Sequence, residues 1–375
     1  MHYRKANELG VELSVLGFGC MRFPVKDGRI ERVEATAMLD YAYRNGVNYF
    51  DTAWGYHNQE SQYFVGEALS AYPRDSFYLA TKMPVWLCDQ PSDYDKYFTE
   101  QLVRCKTDYF DFYLLHALNQ ERFDNAVALG ALDWLTKIRR SGKARCVGFS
   151  FHDDPDVFPG ILDAYDWDFV QIQHNYIDDE HIRSGELYRE LTQRGIPATV
   201  MEPVRGGHLA TLPDDVANIL KAAAPERSMA AWALQWVASQ RGVQVTLSGM
   251  STMAQVEENV RIFSQDPFTL TPAELTAVAK AAERLLSYKT IDCTDCKYCQ
   301  PCPHGVNIPH MFEVYNRYQM FHNASIAASE YSGQLADLSA RADMCTECET
   351  CLPLCPQHID IIDKLAEVHE VMSVL

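Results

Sequence analysis

The sequence predicts a (β/α)8 barrel followed by a small, mainly helical domain, and three observations carry that expectation. Apolar runs of strand length recur eight times between residues 16 and 249, amphipathic stretches separate them, and eight of the twelve cysteines crowd into two short segments beyond residue 290. A strand followed by a helix, repeated, implies parallel strands buried on both faces, and such strands read as nearly continuous apolar runs.

In chain order the strand-like runs are LGFGC at 16–20, VNYFDT at 47–52, FYLATK at 77–82, FDFYLLH at 110–116, CVGFS at 146–150, FVQIQH at 169–174, ATVMEP at 198–203 and VTLSG at 245–249. Helical patterns lie between and after them at 31–44, 60–71, 96–106, 130–140, 185–194, 228–240 and 253–264. Several strands are entered through helix-stopping pairs, Asn45-Gly46, Ser141-Gly142, Arg194-Gly195 and Arg241-Gly242, because glycine adopts the left-handed conformation that ends a helix. A doubly wound open sheet is the competing architecture, weakened by the missing G-x-G-x-x-G after the first strand. Thr271, Pro272 and Glu274 announce a further helix to about residue 287, with a capping residue, a proline at the first helical position and a reciprocal glutamate. The expected division is a barrel over 1–288 and a cysteine domain over 289–375, helical between its cysteine runs at 309–342.

At 375 residues and 47% hydrophobic content the chain can bury a large core and a small one. Its 33 basic and 51 acidic residues leave a formal charge of -18, which argues against nucleic acid or an anionic membrane surface as the main partner. The opening MHYRKANELG has no apolar signal core and no apolar run reaches 18 residues, so the expected location is the reducing cytoplasm.

The cysteines are Cys293, Cys296, Cys299 and Cys302 before Pro303, and Cys345, Cys348, Cys351 and Cys355 before Pro356. The second run has the Cys-x2-Cys-x2-Cys-x3-Cys-Pro spacing in which three thiolates hold one iron–sulfur cluster and the fourth reaches its neighbour. Eight thiolates make two [4Fe-4S] sites. The sharing rule groups Cys293, Cys296, Cys299 and Cys355 around one cluster, and Cys345, Cys348, Cys351 and Cys302 around the other. The first run departs from the rule, with two residues rather than three before its last cysteine. Structural zinc is the alternative, although zinc sites usually pair two separated Cys-x2-Cys knuckles.

Chemistry in a barrel sits where its strands end. Asp51 ends the second predicted strand, Tyr56 follows in DTAWGYHNQES, Lys82 ends the third strand and His116 the fourth; Glu202 ends the seventh. A phenol has a reference pKa of about 10, and a neighbouring ammonium favours its ionised form, so Lys82 held by Asp51 would ease proton release from Tyr56. His116 would orient a substrate oxygen or help pass the proton. Trp54 and Trp86 are candidate walls of an apolar pocket, with Tyr176 further along the rim. His57, His152 and His174 raise a metal-hydrolase alternative, weakened because the first strand lacks a His-x-His pair and Lys82 would sit badly beside a cation.

The four residues and their surroundings resemble the aldo-keto reductase family, through GFGCMR at 17–22, DTAWGY at 51–56, ATK at 80–82, LLH at 114–116, GFS at 148–150, VQIQHN at 170–175, MEPVRGG at 201–207 and SGMSTMAQVEEN at 248–259. The whole chain resembles a subgroup in which that barrel carries a C-terminal ferredoxin-like domain, through CKYCQPCPHGVNIP at 296–309 and CPQHIDI at 355–361. The resemblance implies reversible hydride transfer between NADPH or NADH and a small carbonyl or alcohol substrate, with Tyr56 as general acid and base. It assigns Ser150 and Gln171 to the nicotinamide amide, and Glu258 and Asn259 to the adenine end. Gly19, Cys20, Met21 and Asp51, then Pro203, Gly206 and Ser251, fall at further dinucleotide contacts. Several positions depart from the family. Phe151 stands where Asn is common, Met201 where an aromatic often stacks, and Gly249 and Gln255 where Lys and Arg often hold a 2′-phosphate. Losing two cations there opens the choice to NADH, unless Arg205 or Arg22 compensates.

Three readings follow for the barrel and clusters together, because nicotinamide delivers two electrons as hydride whereas [4Fe-4S] centres move one at a time. In the first, the barrel transfers hydride and the clusters are structural, sensory or a contact to a separate partner. In the second, a ferredoxin or flavoprotein feeds single electrons through the clusters to a substrate in the barrel. In the third, the chain is an electron-transfer subunit whose barrel docks other proteins.

Overall fold

The computed structural model describes residues 1–6, 10–332 and 340–375. Eight parallel strands close into a barrel: β1 (Leu16–Gly19), β2 (Tyr49–Asp51), β3 (Tyr78–Met83), β4 (Phe110–Leu118), β5 (Ala144–Phe151), β6 (Phe169–Gln173), β7 (Ala198–Met201) and β8 (Val243–Gly249). Neighbours in sequence are neighbours in space, and β8 closes onto β1 through Thr246 opposite Leu16 and Gly249 opposite Gly19. The continuous apolar runs have their expected cause. Outward side chains such as Val147, Val170 and Val200 pack against the helices, whereas Tyr49, Phe112, Leu114, Phe169, Val245 and Leu247 form a separate buried cluster. Gly17 makes room for that cluster, since a Cβ there would lie 2.5 Å from Val245 and 2.7 Å from Leu247.

Each expected helix of the barrel is present, and the four helix-stopping glycines have φ of 92°, 72°, 71° and 87° at Gly46, Gly142, Gly195 and Gly242. Helices Gln120–Ala128, Phe158–Asp163 and Asp214–Ala223 are additional to the sequence reading. So is an antiparallel hairpin of Tyr3–Ala6 and Val11–Ser14, whose Leu13 joins the Tyr49 and Phe112 cluster.

The chain divides into two compact units, one of residues 1–206 with 230–275 and the other of 207–229 with 276–375. Helix Pro272–Leu286 begins with the expected capping box, the Thr271 N–H donating to Glu274 Oε2 at 2.8 Å and the Glu274 N–H to Thr271 Oγ1 at 3.3 Å. Most of this helix groups with the second unit. There Arg284 Nε and the Tyr288 hydroxyl reach Asp215 Oδ2 at 2.7 and 2.6 Å. Helices Ile308–Phe321, Ala324–Ser332 and Ile361–Met372 surround a core of Ile291, Val306, Met311, Phe312, Leu365 and Val368. Part of the helical expectation for 309–342, residues 333–339, lies outside the described residues. Among the described residues no helix is long and apolar enough to cross a membrane.

Candidate functional site

The barrel brings Asp51, Tyr56, Lys82 and His116 to one rim, because they end or follow three adjacent parallel strands, with Asp51 opposite Ala80 and Lys82 opposite Leu114. Lys82 Nζ lies 2.5 Å from Asp51 Oδ1, 3.0 Å from the Thr52 carbonyl and 3.3 Å from the Tyr56 hydroxyl. The Tyr56 and His116 rings meet edge to face at 6.0 Å. His116 owes its aim to a bulge. Pairing of β4 with β5 slips between Leu115 and Leu118, Ala117 takes φ 54°, and its N–H donates to Ser150 Oγ at 2.7 Å. A left-handed alanine is strained by about 1–2 kcal/mol, and bulges of this kind re-aim side chains beside active sites.

Burial governs the electrostatics and corrects one expectation. Lys82 is 1% exposed, and desolvation alone would pull its pKa down, yet Asp51 and Tyr56 beside it hold it above its ordinary value, so it is an ammonium at neutral pH. Burial pushes the Asp51 carboxyl up against the pull of Lys82 and Gln171. Tyr56 was expected to be acidified by Lys82. Its phenol instead stands above the ordinary value, because desolvation outweighs the ammonium and Asp51 opposes it. The free site therefore holds a protonated phenol beside a fixed cation. His116 is pushed well down by burial, then by Lys82, and is neutral; its Nδ1 is buried without a hydrogen-bond partner.

The expected dinucleotide contacts line the strand ends from β1 round to β8. Gln171 Nε2 faces Asp51 Oδ2 at 3.4 Å, while its Oε1 is buried and unpartnered, an acceptor suited to a carboxamide N–H. Ser150 accepts from Ala117 and keeps its own hydroxyl proton to give. Gly19 and Gly249 lie side by side, a Cβ on the first standing 3.3 Å from the Gly249 nitrogen, and one on the second 2.6 Å from Arg22 Cγ. Ser251 donates to the Arg22 carbonyl at 2.7 Å and its N–H to Gln255 Oε1 at 2.7 Å. Thr252 caps helix Met253–Ile262, along which Asn259 donates to Ser248 Oγ at 2.9 Å and Glu258 faces Arg261 at 3.8 Å. This acceptor, two glycines and a capped helix end suit a dinucleotide. Arg22 stands over Gly249, its Cγ against the space a Cβ there would fill. Arg205 is instead buried against Asp178, with Nε 2.9 Å from Oδ1. Met21 is exposed, Met201 half-buried, Pro203 buried and Gly206 exposed at φ 64°.

Two of the expected site side chains are more deeply buried than their roles suggest. The Cys20 thiol is fully buried, 3.7 Å from the Phe18 carbonyl, and belongs to the core cluster packed against the helices. Trp54 is 6% exposed: the Arg104 guanidinium covers a ring face at 3.4 Å, and Tyr97 packs edge to face against it at 4.9 Å. Trp86 reaches the rim, 41% exposed with its ring 5.1 Å from His116. Sequence reasoning missed Arg122, whose guanidinium carbon stands 5.3 Å from the Trp86 ring and whose Nη1 donates to the Ala117 carbonyl at 2.9 Å. Its signal was present, an arginine following the capping Asn119 just beyond a strand that ends in the candidate histidine.

In the second unit, Cys293, Cys296, Cys299 and Cys355 line one pocket with Ile308, Phe312 and Ile361. Cys351 feels the charges of Cys345, Cys302 and Cys348. The backbone repeats itself in the two runs. Asp295 and Lys297 flank Cys296 at φ 54° and 62°, and Glu347 and Glu349 flank Cys348 at 56° and 58°. Residues alternating between left- and right-handed helical conformations point their N–H groups inward, a concavity suited to the negative sulfur of a cluster. Among the described residues no three His, Cys, Asp or Glu side chains stand together as a ready site for a metal ion.

Comparisons with known proteins bear on both units. A model of the aldo/keto reductase family matches residues 15–283, and one of a 4Fe-4S dicluster domain matches residues 292–359. The chain is similar to the NADH-specific methylglyoxal reductase of Escherichia coli (strain K12), 26% identical over 321 residues, covering 73% of this chain and 96% of that protein. Among solved structures, aldo-keto reductase AKR11C1 from Bacillus halodurans superposes with a TM-score of 0.63 and 25% identity, covering 75% of this chain and 96% of that one. An aldo/keto reductase from Klebsiella pneumoniae in complex with NADP shares the fold, with a TM-score of 0.59, 21% identity, and 72% and 92% covered.

Proposed function

This chain belongs to the aldo/keto reductase family and carries a 4Fe-4S dicluster domain, and from that premise we propose that it reversibly reduces a small carbonyl compound with a nicotinamide cofactor at the rim formed by Asp51, Tyr56, Lys82 and His116. The bound nicotinamide supplies hydride to the carbonyl carbon, or receives it from the alcohol. Tyr56 gives its proton to the carbonyl oxygen. A phenol whose pKa is held up by burial stays protonated until that moment, and Lys82 at 3.3 Å then stabilises the phenolate left behind. Asp51 keeps Lys82 charged and placed. Neutral His116 presents a ring nitrogen toward the substrate oxygen and orients it. Gln171 and Ser150 hold the carboxamide, Gly19 and Gly249 leave room for the dinucleotide, and Arg22 supplies the cation for a 2′-phosphate, so NADPH is used in preference to NADH.

Two clusters are proposed, one on Cys293, Cys296, Cys299 and Cys355 and one on Cys345, Cys348, Cys351 and Cys302, in a domain beginning near residue 289. They stand outside the hydride step and serve as a structural centre or a contact to a ferredoxin or flavoprotein. The observation that carries the reading is Lys82, a fully buried ammonium bonded at once to a carboxylate and to the phenol. Stopped-flow mixing of anaerobic protein with NADPH or NADH, with and without a carbonyl compound, tests it. Turnover with unchanged cluster absorbance is expected; bleaching of the clusters by nicotinamide alone would replace it with the one-electron reading.

A further inference from the structure

The rim carries a cation that hydride transfer does not require. Arg122 lies in the first turn of helix Gln120–Ala128, directly after β4, where its N–H donates to the capping Asn119 at 2.8 Å. The strained bulge that aims His116 also fixes this side chain, turning the Ala117 carbonyl to Nη1 at 2.9 Å while the Ala117 N–H goes to Ser150. Trp86 forms the other wall, 5.3 Å from the guanidinium and 5.1 Å from His116, and stays 41% exposed. Among the described residues no carboxylate lies within ion-pair distance of Arg122, whereas Arg74, Arg139, Arg145, Arg183, Arg194 and Arg205 each have one.

Among the described residues Arg4, Arg22, Arg140, Arg189 and Arg241 also lack an ion-pair carboxylate, so what sets Arg122 apart is its place, 5.3 Å from the Trp86 ring that in turn stands 5.1 Å from His116. The guanidinium is pinned by a carbonyl and an aromatic face, neither of which cancels its charge, and its remaining donors form a fork that fits a carboxylate in two parallel hydrogen bonds. The tetrad itself does not compete for an anion: Asp51 neutralises Lys82, and His116 is uncharged. The buried Nδ1 of His116 has no hydrogen-bond partner of its own, and the His116 ring stands 5.1 Å from that of Trp86. A substrate with its carbonyl oxygen between Tyr56 and His116 and a carboxylate on Arg122 would satisfy both groups.

We propose that Arg122, backed by Trp86 and the Ala117 carbonyl, binds the carboxylate of the substrate, so that the carbonyl compound reduced here is an oxo acid and its product a hydroxy acid. This rests on the hydride-transfer reading. The two electrons and one proton come from NAD(P)H as hydride, and the second proton comes from Tyr56; the carboxylate is unchanged.

The test uses the full-length, cluster-loaded protein saturated with NADPH, titrated calorimetrically with oxamate, an unreactive carboxylate, in wild type, Arg122→Gln and Arg122→Lys. Oxamate should bind wild type and lose about 10- to 100-fold in affinity in Arg122→Gln, the range expected for a charge-assisted hydrogen-bond pair, with Arg122→Lys between them. In steady state, the kcat/KM ratio of pyruvate to its neutral amide should fall by a similar factor in Arg122→Gln, chiefly through KM. Absence of oxamate binding in wild type, equal binding in Arg122→Gln, or tighter binding of inorganic phosphate than of oxamate would overturn the assignment. If no carbonyl compound is reduced while oxamate binding still depends on Arg122, the hydride reading fails and the carboxylate site stands.

Discussion

Replacing Asp51 with Asn removes the carboxylate from a pair in which Lys82 is 1% and Asp51 4% exposed, so almost no solvent is available to take over the ammonium. Removing one partner of a buried pair typically costs about 3–5 kcal/mol, since the remaining charge is stranded in a low dielectric. The Thr52 carbonyl at 3.0 Å offsets part of this, which places the expectation at about 3 kcal/mol, or roughly 6 °C in melting temperature for a barrel of this size. The sign of the pH dependence follows from Lys82. Its folded pKa is raised above 10.5, so in the wild type its contribution is complete below that value and is lost as pH rises through the higher folded one. In Asp51→Asn, desolvation, the strongest influence on Lys82, acts without its main opponent and the folded pKa falls. The gap between variant and wild type should therefore be widest at neutral pH and close toward alkaline pH. Anaerobic urea unfolding followed by far-ultraviolet circular dichroism, at several pH values, measures it. The double variant Asp51→Asn, Lys82→Met should recover most of the loss, because a buried pair replaced by apolar groups is often neutral. A single variant within about 1 kcal/mol of wild type at neutral pH, or a double variant no better than the single, would refute the claim that burial sets the energetics of this pair.

Tyr56→Phe removes one 3.3 Å contact to Lys82 and should keep the melting profile while reducing NAD(P)H-linked turnover by at least about a hundredfold, as loss of a positioned acid does; retained turnover would take Tyr56 out of the acid role. Because the Tyr56 phenol is held above 10 and His116 is held neutral, kcat/KM for reduction should be flat across pH 6–8, without a histidine-like inflection, and fall only above pH 10. Gly148→Ala should destabilise the barrel by about 2 kcal/mol or more, measured by denaturant unfolding, because a Cβ there would overlap the Phe169 carbonyl oxygen, a backbone atom that cannot rotate away. Cys355→Ser should lower iron from about eight to about four atoms per chain if Cys355 closes the cluster of Cys293, Cys296 and Cys299, whereas unchanged iron would break that grouping.

The barrel was legible because eight strands buried on both faces leave continuous apolar runs, and because glycines at 46, 142, 195 and 242 mark helix ends. The N-terminal hairpin was not, since each of its strands is only four residues long and too short to show a period. Helix Gln120–Ala128 escaped for a related reason: only Phe123 and Ala126 are buried along it, so it lacks an apolar stripe, and Arg122 escaped with it. The meeting of Asp51, Tyr56, Lys82 and His116 could be anticipated from strand order alone. The direction of the Tyr56 shift could not, because an ammonium on the neighbouring strand is visible as a residue type while desolvation depends on packing. Trp54 illustrates the same limit, its ring covered at 3.4 Å by Arg104, a residue 50 positions along the chain.

Hydride transfer itself can be followed directly by supplying NADPH or NADH deuterated at each face of C4 to the anaerobic protein with an oxo acid and examining the product by mass spectrometry. One deuterium at the carbinol carbon from one face only, with the cluster spectrum unchanged, is the predicted result. Product without deuterium, formed as the clusters bleach and recover, would contradict the account.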